Sequence, residues 1–156
     1  MRREALDLRL APRGDSRVHL CIIMRMGYAS DSYRKIFSAK NHIGQTAKDN
    51  IAEYKRRSPV WHAEKLKDPL LIYTNTSDDD VNVIEVESMI RALKAEGKKF
   101  EYKIFERAPG AHSFDRLDTY ESSKIRLDIY KFMGRYLKPN KPFGSVKELR
   151  KAAYKF

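Results

Sequence analysis

Two short apolar runs with a helix-patterned stretch between them constrain this chain more than anything else in it. The first, "PLLIYTN" at residues 69–75, is bounded by turn residues, as a strand buried on both faces would be. The second, "KFEYKIF" at 99–105, alternates Phe100, Tyr102 and Ile104 with charged residues and predicts a strand with one wetter face. Between them, Val83, Val86, Met89, Ile90 and Leu93 recur near helical spacing. Asn82 with Glu85 suits a capping box, and Gly97 suits a C-terminal stop. A Pro109-Gly110 turn then leads to a second helical stretch whose apolar stripe is Ile125, Ile129, Phe132, Met133 and Tyr136. Strand, helix, strand, helix predicts a parallel α/β unit with right-handed crossovers. Two strands cannot cover both faces of their own sheet, so the unit reads as one edge of something larger.

The flanks are less patterned. "KPNKPFG" ends the second long helix, and Ser145 with Glu148 caps a short terminal one. In the first half, the spacing predicts a helix over 46–57, stopped by Pro59. Residues 1–26 have no clear period beyond a short strand around 18–24, and they are left as an unassigned N-terminal segment.

At 156 residues the chain suits one domain with its own core. No apolar run approaches the length that spans a bilayer, and the N-terminus lacks the pattern of a signal peptide, so no membrane partner is expected and the compartment stays unknown. A single cysteine, Cys21, excludes an internal disulfide framework. The net charge of +11 raises the question of nucleic acid, but the excess is spread along both halves. The densest basic run, Lys55-Arg56-Arg57, has no interleaved aromatics. A basic solvated surface, with at most weak salt-dependent retention on DNA and no specific nucleic-acid partner, is the expectation.

The chemistry gathers where the first strand ends, in "TSDDDVNV". Three adjacent aspartates could serve as a metal loop, a helix cap, a solvated turn, or the support of a histidine elsewhere. Asp78, Asp80 and Asn82 match the first, third and fifth positions of an EF-hand loop. The sixth, which needs glycine, is Val83, and the twelfth, which needs glutamate, is Met89. His19, His42, His62 and His112 show no ligand spacing with each other or with Cys21. No metal or cofactor is therefore implied. In open α/β sheets, functional residues collect beyond the carboxyl ends of strands. Asp78 follows the first strand and His112 follows the second, so adjacent parallel strands would bring them together. A carboxylate so placed can accept the ring N–H, fix the tautomer and stabilise an imidazolium. The order acid before histidine is that of the α/β-hydrolase arrangement. By itself a lone histidine after Pro-Gly-Ala is as readily a surface turn residue.

From about Gly27 to Leu137 the chain resembles the C-terminal part of the prolyl oligopeptidase (S9) catalytic domain, an α/β-hydrolase fold of serine peptidases. The matching words, in order, are "RRSP" at 56–59, "PLLIYTNTSDDDVNV" at 69–83, "ALKAEGKKFEYKIFE" at 92–106 and "GAHSF" at 110–114, followed by a helix ending "RYLKP". The resemblance implies a partial α/β-hydrolase fold over 27–156. It also implies a triad in which Asp78 is the acid, chosen over Asp79 by its spacing to Val81, and His112 is the base. Asp79 and Asp80 would shape the loop. Two departures stand out. Many relatives end the acid strand with His-Gly, where this chain has Thr74-Asn75, and some place an arginine where this chain has Asp80.

None of the seven glycines brackets a serine as Gly-x-Ser-x-Gly; Ser30, in "GYASD", lacks the second glycine. The expectation is therefore a peptidase fragment acting on peptide substrates, with two thirds of a triad. The serine elbow, the remainder of the catalytic domain and the propeller would be supplied from upstream, and the isolated chain would be inactive. The alternative is a non-catalytic binding module that keeps the hydrolase half-fold.

Overall fold

The computed structural model describes residues 31–152. In chain order it contains α1 (Asp31–Ser38), α2 (Ile51–Arg56), a 3-10 helix (Pro59–Lys65), β1 (Leu71–Asn75) and α3 (Val83–Ala95). These are followed by β2 (Glu101–Phe105), a 3-10 turn (Ala111–Ser113), α4 (Tyr120–Leu137) and α5 (Val146–Ala152). The strand expected at 18–24 lies outside the described residues. The chain divides into two compact units. One holds the described residues up to Leu70 together with Val81–Glu101; the other holds Leu71–Asp80 together with the described residues from Tyr102 onward.

In the first unit, α1 and α2 flank a small core in which buried Phe37 and Tyr54 pack with Ile43 and Ala47. Tyr54 is fully buried, and its hydroxyl donates to the Gln45 carbonyl at 3.0 Å, which satisfies the one polar atom that burial would otherwise leave without a partner. The helix expected from residue 46 starts at Ile51. Residues 46–49 form a separate turn, because Asn50 adopts φ −142° and its side chain accepts the Glu53 N–H at 3.2 Å as an N-cap. Past Arg57 the chain turns into the 3-10 helix, with Pro59 in its first turn, where a missing N–H costs nothing. That helix packs against α3.

The Asn half of the expected cap on α3 forms: the Asn82 side chain accepts the Ile84 N–H at 3.0 Å. At the other end Gly97 takes φ +62°. Its N–H donates to the Lys94 carbonyl at 3.0 Å, and the Lys98 N–H to the Leu93 carbonyl at 2.9 Å. These are the two bonds of a Schellman stop, which needs a residue comfortable at positive φ. The apolar face of α3 buries Val86, Met89, Ile90 and Leu93, as the spacing predicts.

β1 and β2 pair directly. The Glu101 N–H donates to the Leu70 carbonyl at 3.0 Å, and the Thr76 N–H to the Phe105 carbonyl at 2.9 Å. Partner numbers rise together, so the strands are parallel, with α3 between them in the chain. β1 is buried at Ile72, Thr74 and Asn75. β2 is more open than its alternation suggests. Glu101, Tyr102 and Lys103 are all exposed, and burial begins only at Ile104 and Phe105. Among the described residues β2 pairs with a strand on one side only.

α4 starts at Thr119, whose hydroxyl accepts the Ser122 N–H at 3.1 Å, and stops at Lys138 in the left-handed region. Its stripe is covered unevenly. Ile125 is buried and Ile129 and Phe132 are half-buried, but Met133 and Tyr136 are exposed. The buried partner of α5 is instead Leu127, which lies off the expected stripe and packs with Val146, Leu149 and Phe143. α5 is capped as expected from Ser145 (Glu148 N–H to Ser145 Oγ, 3.2 Å), while the Glu148 carboxylate reaches back to the Gly144 N–H at 2.8 Å. No helix among the described residues is long and apolar enough to cross a membrane.

Candidate active site

The ends of β1 and β2 deliver two loops to the same edge of the sheet, wholly within the second unit. The first is compact. After Asn75 the chain turns at once: the Asp78 N–H donates to the Asn75 carbonyl at 3.1 Å, and the Asp80 N–H donates to Asp78 Oδ1 at 2.9 Å. The second bond is an Asx-type turn, in which a short acidic side chain caps the backbone two residues on. It orients the Asp78 carboxylate with one oxygen occupied and the other, Oδ2, facing away. The Asp78 side chain is only 6% exposed.

The second loop is longer and is held from outside itself. The Arg107 N–H donates to Thr76 Oγ1 at 2.9 Å. Asn75, fully buried, receives the Ala108 N–H at Oδ1 (3.0 Å), and its amide donates to the carbonyls of Ala108 (2.8 Å) and Ala111 (3.0 Å). Gly110, at φ +96°, makes the bend. A Cβ there would lie 2.8 Å from Leu117 Cδ1 and 3.2 Å from Phe114 Cα, so both conformation and space require glycine. On the far side, Phe114 is buried, with its ring 5.3 Å from that of Phe105. The Phe114 carbonyl accepts from Ser122 Oγ at 2.6 Å, and Arg126 donates through Nη1 to the carbonyls of Asp115 (2.5 Å) and Leu117 (3.0 Å).

His112 stands on the 3-10 turn between these anchors, and its Nδ1–H donates to Asp78 Oδ2 at 2.9 Å. A carboxylate oxygen only accepts, so this bond puts the ring proton on Nδ1 and leaves the Nε2 lone pair available. The imidazole is 35% exposed, enough for Nε2 to meet a reacting group. Asp80 Oδ2 lies 3.7 Å from Nε2, beyond direct hydrogen-bond length. His112 is thus flanked by one buried carboxylate in contact and one more open carboxylate nearby. Asp79 is exposed and faces neither ring nitrogen within bonding distance. An acceptor fixed on Nδ1 with a free Nε2 is the arrangement that lets an imidazole take a proton from a nucleophile and return it to a leaving group.

A model of the prolyl oligopeptidase family matches residues 21–140 of the 156. The chain belongs to the prolyl oligopeptidase family. No curated protein matches it. Membership in the prolyl oligopeptidase family implies an α/β-hydrolase domain, and the parallel β1–β2 pair with its helices is a partial α/β arrangement of that kind.

Of the residues singled out in the sequence, Asp78 and His112 are brought together. Among the described residues no group of three or more His, Cys, Asp and Glu side chains could hold a metal ion. Sequence reasoning missed the residues that hold the second loop, namely Asn75, Thr76, Ser122 and Arg126. Asn75 drew notice only as a departure from His-Gly. The available signal was a polar side chain closing a buried strand, which demands hydrogen-bond partners from somewhere.

Proposed function

We propose that this chain carries the acid and the base of a serine peptidase of the prolyl oligopeptidase family. Asp78 orients His112, and His112 Nε2 takes a proton from an attacking serine and returns it to the leaving amine. The observation that carries this reading is the 2.9 Å contact between His112 Nδ1 and the buried Asp78 carboxylate. The serine, the oxyanion-hole loop and the substrate filter come from outside these 156 residues, since the chain has no Gly-x-Ser-x-Gly word. The substrates are peptides. Asp80, acidic where some relatives carry a substrate-contacting arginine, argues against strict proline preference.

Two measurements test the reading. A fluorophosphonate probe labels no serine of the isolated chain, and a labelled serine would overturn the assignment of the nucleophile to another segment. In a polypeptide that joins this chain to a serine elbow, Asp78→Asn and His112→Ala each lower kcat/KM by about 10⁴-fold with the fold intact. Wild-type turnover in either variant would sink the triad.

A second reading rests on the Asp80 carboxylate, 3.7 Å from Nε2 on the side a serine would use. Under it, the chain is a binding module that retains the hydrolase half-fold without turnover. DNA immediately upstream that encodes no Gly-x-Ser-x-Gly would favour this second reading over the first.

A further inference from the structure

We infer that Asn75 is the positioning residue of the Asp78–His112 pair: it holds both loops at once and so sets the geometry between acid and base. The inference rests on the triad reading above and adds a residue to it.

The argument begins with what the side chain can bond. An asparagine amide offers two N–H donors and one carbonyl oxygen. Here the Nδ2 donors go to the carbonyls of Ala108 and Ala111, and Oδ1 accepts from the Ala108 N–H. One side chain therefore engages both backbone groups of Ala108 and clamps the two ends of the Pro109-Gly110 bend, across 33 to 36 residues of sequence. It does so fully buried, where each bond gains from the low local dielectric and each loss would leave a backbone group without a partner.

The clamp acts on strained backbone. Arg107 and Ala111 sit at φ +48° and +45°, a region that is strained for residues with a Cβ and persists only where surroundings hold it. The Ala111 carbonyl belongs to the peptide unit that carries the His112 N–H. Fixing that carbonyl fixes the plane from which the histidine side chain departs.

The other half of the device is the main chain of the same residue. The Asn75 carbonyl accepts the Asp78 N–H at 3.1 Å, which sets where the acid loop turns back. Acid and base are thus referred to one residue, Asp78 through its carbonyl and His112 through its amide. Alanine would keep the first connection and lose the second. Aspartate, equal in shape, would keep the bond from the Ala108 N–H but turn two donors into acceptors facing two carbonyls.

The test is nuclear magnetic resonance on the full 156-residue chain. In the wild type, couplings across hydrogen bonds are expected from Asn75 Nδ2 to the carbonyl carbons of Ala108 and Ala111; their absence in the folded protein overturns the inference. The nitrogen shifts of the His112 ring are then expected to report a protonated Nδ1 and an unprotonated Nε2. In Asn75→Ala and in Asn75→Asp they should move toward the tautomer mixture of a free imidazole, while the helical circular dichroism is retained. A merely structural role would alter the unfolding midpoint and leave the tautomer unchanged, and that result overturns the inference. Asp78→Asn separates the two levels. If it leaves the ring signature unchanged, the acid–base pairing itself fails; if it shifts the ring while folded Asn75 variants do not, only the role of Asn75 fails. Where a substituted chain does not fold, the wild-type couplings decide.

Discussion

The loops that follow the two strands reach the same site by opposite means. The acid loop after β1 needs little beyond itself: a backbone turn from Asn75 to Asp78 and an Asx bond from Asp78 to Asp80 span two or three residues each. The base loop after β2 contains three residues at positive φ, Arg107, Gly110 and Ala111. It is pinned by Asn75 and Thr76 on one side and by Ser122 and Arg126 on the other. The acid is therefore set by local turn chemistry, whereas the base is set by tertiary contacts. Damage anywhere around the base loop should be felt at His112, while damage to the helix after the acid loop should not.

The largest break in that contrast is expected at the bend. Gly110→Ala forces a Cβ into Leu117 and a left-handed φ on alanine, so a loss of about 1–3 kcal/mol should appear as a lower urea midpoint, together with faster amide exchange at 111–114. An unchanged midpoint would show that the bend can relax without the glycine. Arg126→Ala removes two bonds to the Asp115 and Leu117 carbonyls and is expected to cost about 1–3 kcal/mol. Amide exchange should rise at 115–118, and the His112 ring resonances should broaden. Should the exchange pattern stay flat, α4 is not what holds the loop.

A smaller effect sharpens the acid side. Asn82→Ala removes the cap of α3 and should cost about 1 kcal/mol, read from thermal unfolding, with the His112 ring signals unmoved. A shift of those signals would mean that the acid loop is less self-sufficient than its bonds suggest. The smallest effect lies in the other unit. Arg56 and Arg57 hold the Glu53 carboxyl down to about 2, against an ordinary value of 4.5, chiefly through side-chain hydrogen bonds. A depressed carboxyl stabilises the fold above the unfolded value and loses that contribution as pH falls through the folded one. A slight decline between pH 4.5 and 2 is expected, weaker in high salt and absent in Glu53→Gln. If Glu53→Gln declined as the wild type does, the pair would contribute nothing measurable.

The contrast also explains which parts of the site were legible in the sequence. The order β1, α3, β2, α4 followed from periodicity, and the stop at Gly97 and the caps at Asn82 and Ser145 followed from residues within one helical turn of their partners. Where a competing local cap intervened, the expectation slipped. Asn50 started α2 at Ile51 instead of at residue 46, because an N-cap at the right φ outweighs helical spacing upstream of it. The stripe on α4 was misjudged toward its end, because packing of α5 against Leu127 was a choice between faces that periodicity alone does not make.

By itself the sequence determined the alternating elements, the acid-then-histidine order and membership of a family whose words recur in register; these depend on side chains near one another in the chain. Only the tertiary structure decided that His112 meets Asp78 at 2.9 Å, that Asp80 lies beside Nε2, and that Asn75 joins the two loops. Those facts depend on which residues of β1 stand beside which residues of β2. That register brings positions 33 to 36 apart into hydrogen-bond reach, a distance over which no local pattern in the sequence extends.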